Sequence, residues 1–330
     1  MIRKAHVVVT VILALTVVPI FRILHIPVRF AWRDYVLLYW VYLAIQSVIL
    51  AIALYLFGQS RDFLRTLRKR GQKTAFPLQP AIAILLPAAY FFVVFFLVLS
   101  FNVIIAVIRF NGSGDAALTR VDSILLGGGS VTAIAHWWSS HLSGGSMRFL
   151  ERIYFGMFPQ IGACLVLLAM KSGLKESFKF VGAVAVSYYL ALALFFVIPA
   201  TGPFYGATEH SSFKSGERIV PLLQEGISGT LNNFRNHRMP AEIALDYFIA
   251  LPCMHLVQPL IILWFLRKWG RVFWILVLYD LLLVASIVLL EQHYLVDLVA
   301  AVPVAILAIR TVSLHFPGSV ERKNSGIGAA

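Results

Sequence analysis

The sequence predicts an all-α polytopic membrane protein with about eight transmembrane helices. Hydrophobic residues occupy 60% of the 330 positions, charged residues only 13%, and the mean hydropathy is +0.83. A bilayer is needed to cover so much apolar surface, and each crossing takes about 20 apolar residues. Such runs lie near 6–25, 35–57, 79–108, 153–170, 180–199, 246–266, 272–290 and 293–312.

Two of the predicted elements are unusual. The run 79–108 is too long for one straight crossing, so we expect it to tilt, to extend past the bilayer or to break near 100–102. The segment 111–150 is too polar to span, and we expect a helix lying at the membrane interface, anchored by Trp137 and Trp138. The first run is expected to be a retained span rather than a cleaved signal peptide.

Basic residues predict the orientation of the chain. They are concentrated in the loops after the second, fourth, sixth and eighth runs, so these loops and both termini are expected to be cytoplasmic. The formal charge of +13 belongs mostly to these loops and does not indicate nucleic-acid binding. The residues are Arg61, Arg65, Arg68, Lys69, Arg70, Lys73, Lys171, Lys175, Lys179, Arg267, Lys268, Arg271, Arg310, Arg322 and Lys323.

Three ionisable side chains stand at the outer ends of apolar runs. His255 follows the start of the sixth predicted span, and His293 and Asp297, four residues apart, begin the eighth. On a helix this spacing places two side chains on one face, where they can touch. Ionisable groups near membrane depth are costly and usually functional, so we expect all three to converge on one extracytoplasmic site.

The motifs around these residues resemble a known superfamily. Pro252-Cys253-Met254-His255 is similar to the Pro-Ser-x-His element of the type 2 phosphatidic acid phosphatase (PAP2) superfamily, and the segment from His293 to Asp297 resembles its final His-x-x-x-Asp element. Ser286, seven positions before His293, matches a serine that the superfamily usually has there. The segments 199–205 and 122–127 resemble the inositol phosphorylceramide synthase-like branch.

The resemblance covers roughly residues 80–312 and implies a six-helix catalytic core with two extra helices before it. We therefore expect an N-terminal extension with a basic loop at 1–78, a catalytic membrane core at 79–313 and a disordered cytoplasmic tail at 314–330. The implied location is a plasma or inner membrane, with the active site on the periplasmic or lumenal face. The implied partners are the bilayer and a phospholipid or lipid phosphate substrate.

The resemblance also implies roles for individual residues. His293 attacks phosphorus and becomes a phosphohistidine, Asp297 orients it, and His255 protonates the leaving group, with no cofactor or metal required. The chain departs from the pattern where Cys253 replaces the usual serine and Ile287 replaces an arginine, and the first phosphate-binding element is not recognisable. The expected substrate-binding residues are Tyr205, Arg235, Arg238 and Cys253, the two arginines standing in for the missing basic groups.

The same residues are also compatible with other functions. Lipid phosphate or prenyl diphosphate hydrolysis would use the same three residues as headgroup transfer. Asp280, in the middle of a predicted span, is the main indication of proton transport, and a lipid-binding homologue without turnover is a further alternative. A metal site of His255, His293 and Asp297 is compatible with their ligand types. Lone histidines are expected to be surface or packing residues: His25, His136 and His141.

Overall fold

The structure is a computed structural model, and the regular secondary structure of its described residues is helical apart from two short strands. Several sequence predictions lie outside these residues: the basic loop between the second and third runs, Arg322, Lys323 and the tail beyond residue 315. The structure describes residues 2–26, 28–29, 36–58, 78–110, 113–206, 219–236, 238–239, 243–244 and 248–315.

The described residues of the N-terminal part form three helices and one strand. The third helix runs without interruption through Ser100, whose hydroxyl donates to the Phe96 carbonyl at 2.9 Å. The break considered for this long run is therefore wrong, because the polar side chain bonds within its own helix. The strand β1 (Val28–Arg29) pairs in parallel with β2 (Ile243–Ala244). The helices are α1 (Ile2–Ile23), α2 (Val36–Gly58) and α3 (Leu78–Arg109).

The segment predicted as one interfacial helix instead forms three. Gly127 and Gly128 adopt φ values of +60° and +98°, and this left-handed backbone ends the first helix. Glycine is suited to these positions because residues with a side chain rarely adopt a positive φ. Ser130 and Ser143 then cap the next two, each accepting a backbone N–H from three residues later. The three are α4 (Ser113–Leu125), α5 (Val131–His141) and α6 (Gly144–Phe155).

The next two predicted spans belong to a single assigned helix, α7 (Met157–Val197), divided at Gly173. That glycine has φ 77° and ψ −172°, so its backbone is not helical and the two apolar halves meet at a kink. Phe180 and Phe195 from the second half are fully buried. The helix α7 packs against α2 and α3, and it forms the centre of the described bundle.

The remaining described elements belong to the loop 200–245 and to the last three apolar runs. The predicted span 246–266 begins eight residues too early, because its helix starts at Met254, directly after Pro252-Cys253. Apolar composition alone does not distinguish the extended segment before Pro252 from the helix after it. These elements are α8 (Pro203–Gly206), α9 (Ile219–Arg235), α10 (Met254–Leu266), α11 (Arg271–Leu289) and α12 (Leu295–His315).

Four stretches of helix in the described part of the chain are long and apolar enough to cross a membrane, by length and composition. Three shorter apolar stretches accompany them, at Thr10–Ile23, Ala44–Tyr55 and Met254–Leu266. The all-helical membrane architecture is confirmed at this level, while the count of eight crossings stays a prediction. The four long stretches are Ile82–Arg109, Gly144–Val197, Arg271–Leu289 and Leu295–Leu314.

Candidate active site

The first wall of the site is the extended chain that leads into α10. Its backbone bonds to other parts of the fold instead of to itself: the Ala250 N–H donates to the Ala200 carbonyl at 2.9 Å, and the Cys253 N–H to the Asp297 carbonyl at 3.1 Å. The first bond ties this chain segment to the segment before α8, and the second ties the start of α10 to the start of α12. His255, in the first turn of α10, is thereby held opposite the residues that precede α12.

His293 lies in the turn between α11 and α12, two residues before α12 begins. The prediction that His293 and Asp297 share one helix is wrong in this respect, because Asp297 alone is helical. Their contact is nevertheless present, with His293 Nδ1 3.4 Å from Asp297 Oδ2. The turn before α12 places the His293 ring beside the Asp297 side chain in the first turn of that helix.

The two nitrogens of His293 face different surroundings. Nδ1 lies 2.9 Å from the Ala250 carbonyl oxygen, which only accepts, so Nδ1 carries the proton of this hydrogen bond. Nε2 lies 3.4 Å from Nδ1 of His255. In the neutral ring the lone pair is therefore on Nε2 and is directed toward the second histidine.

His255 is positioned by an aromatic side chain that the sequence did not single out. The ring of Tyr154, from α6, stacks on the imidazole with centroids 4.1 Å apart and planes inclined by 23°. The Tyr154 hydroxyl lies 3.4 Å from His255 Nδ1 and 3.4 Å from Oε1 of Gln292, the neighbour of His293. Tyr154 thus contacts both histidine-bearing segments.

Two carboxylates complete the start of α12. Asp297 Oδ2 accepts the Tyr294 N–H at 2.9 Å, as in a capping box. Asp122 reaches over from α4 and accepts the Leu295 N–H at 2.8 Å and the Val296 N–H at 3.0 Å, one with each oxygen. A negative charge at the positive end of the helix is favourable, so Asp122 acts as a cap supplied from a distant helix.

A second carboxylate of α4, Asp115, holds the segment before α8. It accepts the N–H groups of Thr201 and Gly202 at 2.8 and 3.0 Å and the Thr201 hydroxyl at 3.0 Å. Burial raises the pKa of Asp115, while these hydrogen bonds and the charge of Arg235 oppose the shift. The Tyr294 hydroxyl also donates to Asp115, at 3.3 Å.

The segment 199–205, which includes the start of α8, lies directly against the turn that carries His293. A Cβ at Gly202, which has φ +122°, would stand 2.6 Å from the Gln292 carbonyl oxygen, so only glycine fits there. The Phe204 N–H donates to the Glu291 carbonyl at 3.3 Å. The segment 199–205 is therefore part of the wall of the site.

The four predicted substrate-binding residues fall in three places. Cys253 is fully buried beside the two histidines. Arg235 donates to the Tyr205 carbonyl at 2.6 Å and lies over the ring of Phe110. The predicted residues Arg235 and Tyr205 are therefore in contact with each other, at the end of the segment 199–205. Arg238 is exposed beyond the end of α9. The structure thus groups Cys253 with the histidines and leaves the other three outside that group.

Four other residues considered from the sequence do not join the two histidines. Asp280, buried in α11, accepts from the Gln160 amide at 3.1 Å, which accounts for a polar group at that depth. His25 and His141 are exposed, and His136 is 4.0 Å from Glu291.

The sequence analysis missed Asp115 and Tyr154 and noticed Asp122 only within a resembling segment. The seven-residue spacing of Asp115 and Asp122, which puts both on one helix face, was the available signal. Among the described residues, Cys253, His255 and His293 are also grouped closely enough to hold a metal ion, with one ligand atom of each within 4.8 Å of the others.

Comparison with known proteins agrees with this arrangement. A family model described as the PAP2 superfamily matches residues 116–311, more than half of the chain, a range that includes His255, His293 and Asp297 and begins one residue after Asp115. No curated protein and no solved structure matches the chain. The chain therefore belongs to the PAP2 superfamily, a membership that indicates phosphatase- or phosphotransferase-type activity on phosphoesters.

Proposed function

We propose that this protein is a membrane lipid phosphotransferase, similar to inositol phosphorylceramide synthases, that moves a phospho-headgroup onto a lipid alcohol through a phosphohistidine. The observation that carries the proposal is the pairing of His293 Nε2 with His255 Nδ1 at 3.4 Å, while His293 Nδ1 is held by the Ala250 carbonyl. A fixed nucleophile beside an acid is the arrangement that covalent catalysis requires.

In the first half-reaction His293 Nε2 attacks phosphorus of the donor lipid. The N–P bond forms, the P–O bond to the leaving alcohol breaks, and His255 gives its proton to the leaving oxygen. Positive charge develops on the His293 ring, and Asp297, 3.4 Å from its Nδ1, stabilises that charge. Because His255 Nδ1 lies so close to Nε2, we expect the rings to separate when a phosphoryl group enters.

In the second half-reaction the acceptor replaces the departed alcohol. His255, now neutral, takes the proton of the acceptor hydroxyl, the new P–O bond forms, and the N–P bond breaks to regenerate His293. Both histidines return to their starting protonation states. With water as acceptor the same steps give phosphate hydrolysis, so the acceptor alone separates a transferase from a phosphatase.

The charge on the phosphoryl group is expected to be met mainly by backbone dipoles. His255 is in the first turn of α10, and the Cys253 side chain makes no capping bond at that end. Helix N-termini attract phosphate because their N–H groups and dipole point outward. This compensates in part for the basic residues that the superfamily pattern places elsewhere and that this chain lacks.

The position of the segment 199–205 favours transfer over hydrolysis. This segment resembles the inositol phosphorylceramide synthase-like branch, and it packs on the histidine turn through Gly202 and Phe204. It is therefore placed to contact an acceptor beside His293. We further propose that residues 79–313 form the catalytic core behind an N-terminal extension at 1–78. The distribution of basic residues supports cytoplasmic termini and an extracytoplasmic site.

Purified protein in mixed detergent–lipid micelles tests the proposal. Phosphatidylinositol is supplied with ceramide or diacylglycerol as acceptor, and phosphatidic acid and a prenyl diphosphate are supplied alone. We expect a new phospholipid only when an acceptor is present, and its loss in His293→Ala. The matched control is His141→Ala, which removes an exposed histidine and is expected to keep the wild-type rate.

Trapping the intermediate tests the mechanism separately. With a donor labelled at phosphorus and no acceptor, we expect acid-labile, base-stable label on the chain, absent in His293→Ala. Free phosphate without any acceptor dependence would make the protein a phosphatase. Turnover retained by His293→Ala would refute the assignment of the nucleophile, and the absence of any product from stable protein would refute the enzymatic proposal.

A further inference from the structure

Cys253 brings a thiol into a site that otherwise contains two imidazoles. One ligand atom each of Cys253, His255 and His293 lies within 4.8 Å of the other two. Thiolate and imidazole are the ligands that zinc prefers, and three protein ligands with an open fourth position are typical of accessible zinc sites. Of the three residues, His255 is partly exposed, whereas Cys253 and His293 are buried.

The orientation of His293 matches that of a metal ligand. Its Nδ1 donates to the Ala250 carbonyl at 2.9 Å and lies 3.4 Å from Asp297, while Nε2 faces Nδ1 of His255. Zinc-bound histidines commonly donate their other N–H to a carbonyl or carboxylate, which fixes the ring and raises its basicity. The backbone and carboxylate partners of such a histidine are therefore already in place.

The spacing of the two nitrogens also suits one ion. His293 Nε2 and His255 Nδ1 are 3.4 Å apart. Two nitrogens bound to one tetrahedral zinc at about 2.0–2.1 Å are separated by about 3.3–3.4 Å. The imidazoles need little movement to share a metal, and the thiol has to close the remaining distance.

The structure replaces one member of the set considered from the sequence. Asp297 lies on the Nδ1 side of His293 and uses Oδ2 to accept the Tyr294 N–H, so it is an outer partner of the histidine. Cys253, as a member of the close group, completes the three ligands.

We propose that Cys253, His255 and His293 bind Zn²⁺ and that the bound ion inhibits the enzyme. On binding, the thiol and a protonated His255 release their protons to water and the three side chains coordinate the metal, with the fourth position open to water. The ion occupies the lone pair of His293 Nε2, which is then unable to attack phosphorus. The inhibition rests on the proposed function, whereas metal binding does not depend on any reaction.

Direct metal binding by the purified chain in detergent micelles is the first test. Equilibrium dialysis is expected to show one Zn²⁺ per chain, and Co²⁺ is expected to give the near-ultraviolet charge-transfer absorption of a cobalt thiolate. In Cys253→Ser we expect the absorption to vanish and affinity to fall more than about tenfold, since even outer partners of metal ligands are worth 10–100-fold. Cys164→Ser is the matched control, since Cys164 is buried in α7, and it is expected to bind like wild type.

Inhibition is measured in the same preparations. Zn²⁺ is expected to inhibit headgroup transfer, EDTA to restore it, and Cys253→Ser to need at least about tenfold more Zn²⁺ for half-inhibition of its own activity. Equal Zn²⁺ affinity in Cys253→Ser and wild type, or no binding by wild type, overturns the proposal. If Cys253→Ser fails to fold, His255→Gln is used as the second ligand variant. If no turnover is found, dialysis still decides whether the metal binds.

Discussion

Replacing Asp122 by alanine removes both acceptors at the start of α12. The Asp122 carboxylate is buried and accepts the Leu295 and Val296 N–H groups at 2.8 and 3.0 Å. In Asp122→Ala these two donors lose their partner in a region where water has little access. The change is thus a cavity and two unpaired N–H groups, placed within three residues of His293.

The size of the effect follows from these two bonds. An unsatisfied buried donor costs about 1–3 kcal/mol, and the loss of a helix cap about 0.5–2 kcal/mol. Because both estimates describe the same groups, we expect the free energy of unfolding to fall by about 2–4 kcal/mol. We also expect a larger fall in transfer rate, because a shift of about 1 Å in a reacting group costs on the order of 100-fold.

Thermal unfolding in detergent micelles and initial transfer rates well below the unfolding temperature give the two quantities. Asp122→Asn keeps one acceptor oxygen and is expected to lose about half of the stability that alanine loses. Arg120→Ala, on the exposed face of the same helix, is the control for removing a charge from α4. Wild-type rate and stability in Asp122→Ala would refute the reasoning that Asp122 positions the histidine turn.

Two further substitutions test the packing around the site. Gly202→Ala places a Cβ 2.6 Å from the Gln292 carbonyl oxygen at φ +122°, so we expect a lower unfolding temperature and a reduced transfer rate. The control is Gly144→Ala, where a Cβ meets no atom within 4 Å. Equal unfolding temperatures and rates of the two variants would contradict the close approach at Gly202. Asp280→Asn keeps an acceptor for the Gln160 amide and is expected to retain transfer activity, whereas Asp280→Leu leaves that amide unpaired and costs about 1–3 kcal/mol of stability. Loss of transfer activity in Asp280→Asn, with stability unchanged, would instead indicate a role for the ionised carboxyl group.

The residues that the structure brings together as the sequence predicts are those whose signal is local, while their catalytic roles stay a prediction. His293 and Asp297 are four residues apart, and His255 follows a proline and a cysteine at the start of an apolar run. The structure puts them in contact because the start of α10 is bonded to the start of α12, through the Cys253 N–H and the Asp297 carbonyl. Short spacings and apolar runs are properties that a sequence shows directly.

The residues that the sequence did not locate act over long distances along the chain. The bonds from Asp122 to α12 join residues 173 and 174 positions apart, and those from Asp115 to Thr201 and Gly202 span 86 and 87. Tyr154 stacks on a histidine 101 positions away. Helical periodicity reports which face a side chain occupies, and it does not report which distant segment meets that face.

The predicted start of the span 246–266 was wrong for a different reason. Hydropathy measures how apolar a segment is, and both a helix and a buried extended strand satisfy it. The residues before Met254 are apolar but extended, since Ala250 bonds to Ala200 and Cys253 to Asp297. Backbone groups within a bilayer must be hydrogen-bonded, which usually requires a helix. Here tertiary contacts supply these hydrogen bonds, so a helix is not required.

The helix α4 holds two segments of the candidate site. Its buried face carries Asp115 and Asp122, which hold the segment before α8 and the start of α12, respectively. Its exposed residues include the apolar Ile124 and Leu125, 80% and 55% accessible, as well as Arg120. Buried carboxylates and large exposed apolar groups on one helix depart from the pattern of a helix in water, and they are compatible with an outer face that meets lipid. Because one helix holds both segments, we expect a displacement of α4 to move the turn that carries His293 and the segment 199–205 together.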